Sequence, residues 1–201
     1  MRVGVLASGD GSNLQAILDT VHGREAVEVV AVGSDKREAR ALRRADAAGV
    51  PTRVFAADAF PDRRARDAAM ADWLHERGVA LVVLAGYMQL LDPAFLARFP
   101  QRVVNVHPTL LPAFPGIGSV EQAIAYGVKV AGVTVHFVDE GVDTGAIIAQ
   151  KAIPVPEGAD AEVLRLALRP LEHELLPAVV AALARGDVTV DPADPRHVRV
   201  A

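Results

Sequence analysis

Valine-rich segments with almost no polar residues recur along the first half of the chain. Short apolar runs of this kind are typical of parallel β-strands that are covered on both faces. The pattern predicts strands at Arg2–Leu6, Val27–Val32, Val79–Gly86 and Arg102–Val106, with a weaker candidate at Thr52–Phe55.

Segments with a helical period lie between or after these strands, at Asn13–Val21, Arg37–Ala48, Arg63–Arg77 and Ser119–Tyr126. A regular alternation of strand and helix implies right-handed crossover connections. We therefore predict an α/β fold with a doubly wound, mostly parallel sheet and helices on both of its faces.

The second half of the chain departs from this alternation. Val130–Val138 and Ala146–Val155 are predicted strands, joined by the loop DEGVDTG and antiparallel at one end of the sheet. A long helix is predicted at Ala161–Ala184, with a kink or a break at Pro170. Residues 188–200 predict a peripheral hairpin or a loose strand. No linker is visible, so we expect residues 1–201 to form a single domain.

Composition narrows the class of protein. The net charge is −4, and only three lysines are present, so the chain has no basic stripe for nucleic acid. The absence of cysteine excludes disulfides, thiolate metal sites and thiol nucleophiles. The segment MRVGVLASG lacks the features of a signal peptide, and no later segment is apolar enough to span a membrane. We therefore expect a cytoplasmic protein.

The first predicted strand is followed by the loop ASGDGSNLQ. Gly9 and Gly11 permit a tight turn, and Ser12 or Asn13 can cap the next helix, whose N-terminus suits an anion. The third glycine of a dinucleotide motif and the lysine of a nucleoside triphosphate loop are both missing. A phosphate monoester fits this loop best, and a tight turn that binds nothing is an equal alternative.

Asn105 and His107 follow an apolar strand, with Val106 between them. Ligands of open parallel sheets bind at the carboxyl ends of strands, where we expect both side chains and the glycine loop to converge. Asn can donate to an oxyanion, and His can donate or relay a proton. Asp143 lies in the glycine-flanked segment GVDTG, from which its carboxylate can orient the histidine and keep it charged.

Structural roles are the alternative for each of these residues. Asn105 can cap a turn, His107 can be a buried histidine bonded to the backbone, and Asp143 suits a turn. A metal site at His136, Asp139, Glu140 and Asp143 is a weak hypothesis, because further histidines at metal-ligand spacing are missing. We instead expect His136 to be a satisfied sheet residue that faces the opposite side of its strand from the neighbours of Thr134. No GxSxG nucleophile motif is present.

Several motifs together resemble the phosphoribosylglycinamide formyltransferase (GAR transformylase) family. They are VLASGDGSNLQAIL, VVLAGYM, NVHPTLLPAFPG, GVTVHFVDEGVDTGAIIAQ and LEHELLP, which span nearly the whole chain. The resemblance implies a Rossmann-like formyltransferase fold with a phosphate-binding half at 1–100 and a catalytic, folate-binding half at 101–201. It also implies formyl transfer from 10-formyltetrahydrofolate to the amine of glycinamide ribonucleotide in purine biosynthesis.

The resemblance also implies roles for the matched residues. Asn105, His107 and Asp143 would be catalytic, and no metal would be needed. Gly11, Ser12 and Asn13 would bind the substrate phosphate, and Glu172 the amine or ribose side. The folate pocket would be lined by Arg63, Met88, Gln89, Leu90, Leu91, Asn105, Val138, Asp139, Glu140, Gly141 and Val142.

Three positions depart from the family pattern: Gln89 replaces a common arginine, GSVEQA replaces a histidine-containing stretch, and Pro170 precedes Glu172. Methionyl-tRNA formyltransferase and formyltetrahydrofolate hydrolase are alternatives that normally need an additional domain. A sugar-phosphate-binding protein without catalysis is another. We expect small-molecule partners, no nucleic acid or membrane, and a monomer or homodimer.

Overall fold

The computed structural model describes all 201 residues as an α/β structure. Seven strands form one mostly parallel sheet in the order β3-β2-β1-β4-β5-β6-β7, and two more form a small hairpin. The strands are β1 Arg2–Leu6, β2 Glu28–Ser34, β3 Thr52–Val54, β4 Leu81–Leu84, β5 Val103–His107, β6 Val130–Phe137, β7 Ile147–Pro154, β8 Val188–Val190 and β9 Val198–Val200. The helices are α1 Ser12–Thr20, α2 Arg40–Ala47, α3 Arg63–Glu76, α4 Pro93–Arg98, α5 Ser119–Tyr126 and α6 Ala161–Arg185. The predicted fold class is confirmed.

The chain divides into two compact units, of which the first covers Met1–Asn105. Strand β1 pairs in parallel with β2 and β4, and these three strands are buried apart from the first residues of β1 and β2. Burial on both faces explains why their sequences are continuously apolar. Their carboxyl ends lead into the loops that carry the glycine motif and residues 85–91.

The second unit covers Val106–Ala201. Strands β6 and β7 pair antiparallel, as predicted, and residues alternate between lower and higher exposure along most of β7, as expected of a strand with one wet face. Helix α6 buries a leucine- and valine-rich side in this unit. Strands β8 and β9 form the predicted terminal hairpin.

Two expectations about helices need correction. Helix α6 continues through Pro170, so a break there is wrong. Proline removes its hydrogen bond to the carbonyl of Leu166, but both residues are exposed, so water can satisfy that oxygen. Helix α4 was not predicted, although Asp92 caps it and Pro93 occupies its first turn, which is a typical start signal.

None of the helices combines the length and the apolar character that crossing a membrane requires.

A substitution at Gly132 in β6 can test how tightly the second unit is packed. A Cβ at this position would lie 2.1 Å from the carbonyl oxygen of Lys151 and 2.5 Å from Leu110 Cδ2. We expect Gly132→Ala to lower the free energy of unfolding by about 3 kcal/mol, because the backbone of β7 would have to move. Gly9→Ala is the matched control, since its Cβ would meet nothing within 4 Å. Equal urea midpoints for the two variants would contradict this account.

Candidate active site

The carboxyl end of β5 carries two polar side chains. Asn105 and His107 are separated by one residue, so both project from the same face of the strand. His107 is 5% exposed and Asn105 is half-buried. The strand therefore presents an amide and an imidazole side by side, as the sequence predicts.

His107 lies between two hydrogen-bond acceptors. Its Nε2 is 2.9 Å from the carbonyl oxygen of Phe114, and its Nδ1 is 3.3 Å from Asp143 Oδ2. Carbonyl and carboxylate oxygens accept hydrogen bonds, so each ring nitrogen of His107 faces a group to which an N–H can donate. A ring with an N–H on both nitrogens can satisfy both acceptors at once.

Asp143 connects three segments of the second unit. Its Oδ2 accepts a hydrogen bond from the Gly116 N–H at 2.8 Å and faces His107. Its Oδ1 lies 3.5 Å from His136 Nε2. The backbone of Asp143 has φ 54°, a left-handed conformation that Asp tolerates better than most residues. One carboxylate thus fixes two imidazole rings and a loop.

The electrostatic environment keeps Asp143 ionised. Burial by itself would raise the pKa of Asp143, since it disfavours the charged carboxylate. Hydrogen bonds from His136 and Gly116, together with the charges of His107 and His136, outweigh burial and lower that pKa to about 2. The carboxylate therefore stays negative at neutral pH and favours positive charge on its neighbours.

His136 also belongs to this cluster, a position that the sequence did not predict. It is 1% exposed, and its Nδ1 lies 2.7 Å from the carbonyl oxygen of Phe137 while its Nε2 faces Asp143. The expectation that it is satisfied holds, but the expectation that it faces the opposite side of its strand from the neighbours of Thr134 is wrong. Thr134 shares its strand face and donates to the Thr109 carbonyl. Two polar residues with this spacing in an apolar strand were a signal that could have identified the buried polar face.

The loop that carries Asp143 is tightly built. Asp139 Oδ1 accepts hydrogen bonds from the Gly141 N–H at 3.1 Å and from the Thr144 hydroxyl at 2.7 Å. A Cβ on Gly145 would lie 1.9 Å from the Phe137 carbonyl oxygen, so only glycine fits there. These contacts define where Asp143 is presented.

The structure contains no group of three or more histidine, aspartate or glutamate side chains that could hold a metal ion. Asp139, one of the residues considered for a metal, is hydrogen-bonded within its own loop.

The glycine loop ends in the first turn of α1. Gly11 is the N-cap residue and has φ 75°, and a Cβ there would lie 2.7 Å from the Cα of Ala41. No side chain caps this helix, so the expectation that Ser12 or Asn13 does so is wrong. Both residues lie in the first turn, which contains no acidic residue and carries the positive end of the helix dipole.

Asp10 is a carboxylate beside this positive helix end, and two arginines of α2 neutralise it. Arg40 Nη1 lies 3.1 Å from Asp10 Oδ1, and Arg44 Nη2 lies 3.0 Å from Asp10 Oδ2. Arg44 also donates to the Asp10 carbonyl at 2.8 Å and to Gln15 Oε1 at 3.1 Å. Arg44 therefore connects the loop, α1 and α2.

Comparison with known proteins shows the family to which this chain belongs. The formyl transferase family model matches residues 1–180. This chain belongs to the formyl transferase family. It is 49% identical over 189 residues to the phosphoribosylglycinamide formyltransferase of Mycobacterium tuberculosis, covering 94% of this chain and 87% of the relative. The Bacillus subtilis enzyme of the same name is 41% identical over 180 residues, covering 89% and 92%.

A solved structure agrees with these sequence comparisons. Glycinamide ribonucleotide transformylase 1 from Symbiobacterium toebii is similar with a TM-score of 0.94 and 47% identity, covering 100% of this chain and 93% of that one. The resemblance inferred from the motifs is thereby confirmed.

The other predicted site residues of this formyl transferase lie on its surface or at half-buried positions. Met88 and Leu90 are 60% and 56% exposed, and Gln89 between them contacts Arg66 and Asp35.

The remaining predicted residues are spread over other elements. Arg63 begins α3 and lies 4.0 Å from Asp92. Leu91 and Glu172 are half-buried, Glu172 within α6. Val142 is 48% exposed in the loop of residues 138–142. The roles of all these residues remain predictions.

The depressed pKa of Asp143 predicts a pH-dependent stability. The pKa of Asp143 in the folded protein is about 2, whereas its ordinary value is 3.8. Its contribution to the free energy of unfolding is therefore complete above that ordinary pKa and is lost as the pH falls toward 2. The shift corresponds to roughly 2 kcal/mol. We expect urea titrations between pH 5 and pH 2 to show a shallower loss of stability in Asp143→Asn than in the unchanged protein.

The exposed Glu38 supplies the control, because Glu38→Gln should leave that slope unchanged. The same slope in Asp143→Asn and in the unchanged protein would show that Asp143 makes no such contribution.

Proposed function

We propose that this chain transfers the formyl group of 10-formyltetrahydrofolate to the amine of glycinamide ribonucleotide. The products are formylglycinamide ribonucleotide and tetrahydrofolate, in a step of purine biosynthesis. The observation that carries the proposal is His107, held between two acceptors beside Asn105. Membership of the formyl transferase family and relatives named for this reaction support it.

The proposed chemistry uses these side chains as electrostatic catalysts. The substrate amine attacks the formyl carbon, forming a new C–N bond and a tetrahedral oxyanion. Asn105 and the imidazolium of His107 donate to that oxyanion, and His107 does so through the Nε2–H that faces the Phe114 carbonyl oxygen. The C–N bond to the folate then breaks, and a proton from the amine reaches the leaving nitrogen.

Asp143 supports this step without reacting with either substrate. Its negative charge would stabilise the positive charge that His107 carries in this step, and its contacts to Gly116 and His136 fix its position. A correctly placed carboxylate can also order a water molecule through which the proton moves. Fixing the groups before the substrate binds reduces the reorganisation needed in the transition state.

The substrates would bind through two further sets of residues. Gly11, Ser12 and Asn13 would bind the phosphate, which the uncapped N-terminus of α1 favours. Arg63, Met88 to Leu91, Asn105 and Val138 to Val142 would line the folate pocket. Glu172 would contact the amine or ribose side of the ribonucleotide. A single domain, a monomer or homodimer, a cytoplasmic location and the absence of nucleic-acid and membrane partners remain predictions.

A spectroscopic assay of formyl transfer tests the role of His107. With glycinamide ribonucleotide, a 10-formylfolate donor and a chelator, we expect turnover that falls by about 10²–10⁴-fold in His107→Ala, because the charged donor is lost. The control is His197→Ala, since His197 is 72% exposed in the terminal hairpin.

Other results would favour the alternatives. Folate hydrolysis that ignores the amine substrate would indicate a hydrolase. Ribonucleotide binding without turnover, unchanged in His107→Ala, would indicate a binding protein instead of an enzyme.

Arg44 tests the proposed phosphate site. We expect Arg44→Met to raise the KM for glycinamide ribonucleotide about tenfold with little change in kcat, because the loop loses its charge-assisted contacts. Inorganic phosphate should compete less well with the substrate in this variant. Arg43→Met is the control on the same helix, since Arg43 is exposed. Equal effects of the two substitutions would refute a specific role for Arg44.

A further inference from the structure

A polar cluster of the first unit underlies the segment Met88–Leu91. Arg66 and Asp67 of α3 are 3% and 0% exposed, and Arg66 Nε donates to Asp67 Oδ1 at 2.8 Å. Asp35, which follows β2, is 9% exposed. Gln89 reaches this cluster from the surface and contacts two of its members, so it joins the segment to α3 and to the end of β2.

The two contacts of Gln89 have opposite directions. Arg66 Nη1 donates to Gln89 Oε1 at 3.3 Å, and Gln89 Nε2 donates to Asp35 Oδ2 at 3.1 Å. A guanidinium only donates and a carboxylate only accepts, so the residue between them has to do both. A carboxamide does both, whereas arginine cannot accept and an ionised glutamate cannot donate.

The cluster has little capacity to lose another contact. Arg66 Nη2 and Asp35 Oδ1 are already buried without a hydrogen-bond partner. Removal of the amide would leave further polar atoms of two buried, charged side chains unpaired, which is costly in a protein interior. The two hydrogen bonds therefore hold the side chain of Gln89 in place between Arg66 and Asp35.

The rest of the segment is anchored from both sides. The Met88 N–H donates to the Ser8 hydroxyl at 2.9 Å, and the Asp92 N–H donates to Asp67 Oδ2 at 2.7 Å. Gln89 is the side-chain anchor between these two backbone anchors. Its neighbours Met88 and Leu90 point large apolar side chains into solvent, with 60% and 56% of their surface exposed.

We propose that Gln89 is a positioning residue for the folate substrate, which fixes the exposed segment Met88–Leu91 by bridging Arg66 and Asp35. This inference rests on the proposed function, since it concerns the folate-binding side of that site. It assigns the neutral amide a role of its own, instead of treating it as the loss of a charged ligand contact. Rigid presentation of Met88 and Leu90 reduces the ordering cost when an apolar ring packs on them.

A charge-exchange experiment tests the bridge. Gln89→Glu places a carboxylate opposite Asp35 and removes the donor, so we expect the KM for the 10-formylfolate donor to rise at least about tenfold. The double variant Gln89→Glu with Asp35→Asn has the same net charge as the unchanged chain, and its amide at position 35 can donate to the carboxylate introduced at position 89. We expect it to recover most of the lost affinity.

Two single variants complete the design. Asp35→Asn should remain close to the unchanged protein, because its amide oxygen still accepts from Gln89. Gln101→Glu is the matched control for an added negative charge, since Gln101 is exposed. In all variants we expect the kcat and the KM for glycinamide ribonucleotide to change by less than about threefold, which a general loss of structure would not produce.

Direct titration with tetrahydrofolate separates this inference from the proposed function. If the unchanged protein binds tetrahydrofolate without turnover, and Gln89→Glu weakens binding while the double variant restores it, the function fails and the inference stands. The inference is overturned if Gln89→Glu binds tetrahydrofolate as well as the unchanged protein, if the double variant does not recover, or if the unchanged protein does not bind tetrahydrofolate.

Discussion

The carboxylate of Asp143 is the contact on which the cluster of His107, His136 and Asp143 in the second unit depends. It accepts a hydrogen bond from the Gly116 N–H and faces both His107 and His136. Three segments that are distant in sequence are thereby held by one negative charge. Because the two rings also contact backbone carbonyls, neither can turn away without losing a hydrogen bond. The chemistry proposed for His107 is therefore a property of the whole cluster.

A similar balance of charge operates in the glycine loop of the first unit. Asp10 would by itself repel an anion at the N-terminus of α1, but Arg40 and Arg44 of α2 lie against its carboxylate. The close approach of α2 is possible because Gly11 has no side chain at the point where Ala41 lies. Backbone geometry and charge thus act together in shaping this loop.

The sequence predicts the sheet well because burial on both faces leaves a direct trace in β1 and β4, which are continuously apolar. Asn105, His107 and Asp143 stand out as candidate residues for a related reason, since they interrupt apolar or glycine-rich contexts. The partners of Gln89 do not, because contacts between residues distant in sequence leave no local pattern. Helix α4 was missed because six residues are too few for a helical period to show.

The bridge made by Gln89 has a consequence for how the family diversifies. An arginine at this position would bring two guanidinium groups together, with Arg66 buried and unable to move into water. Positions 66 and 89 are therefore not free to change one at a time. A homologue with arginine at position 89 should therefore carry an uncharged side chain at position 66. The two residues would then differ together from those of this chain, because each has to be compatible with the charge of the other.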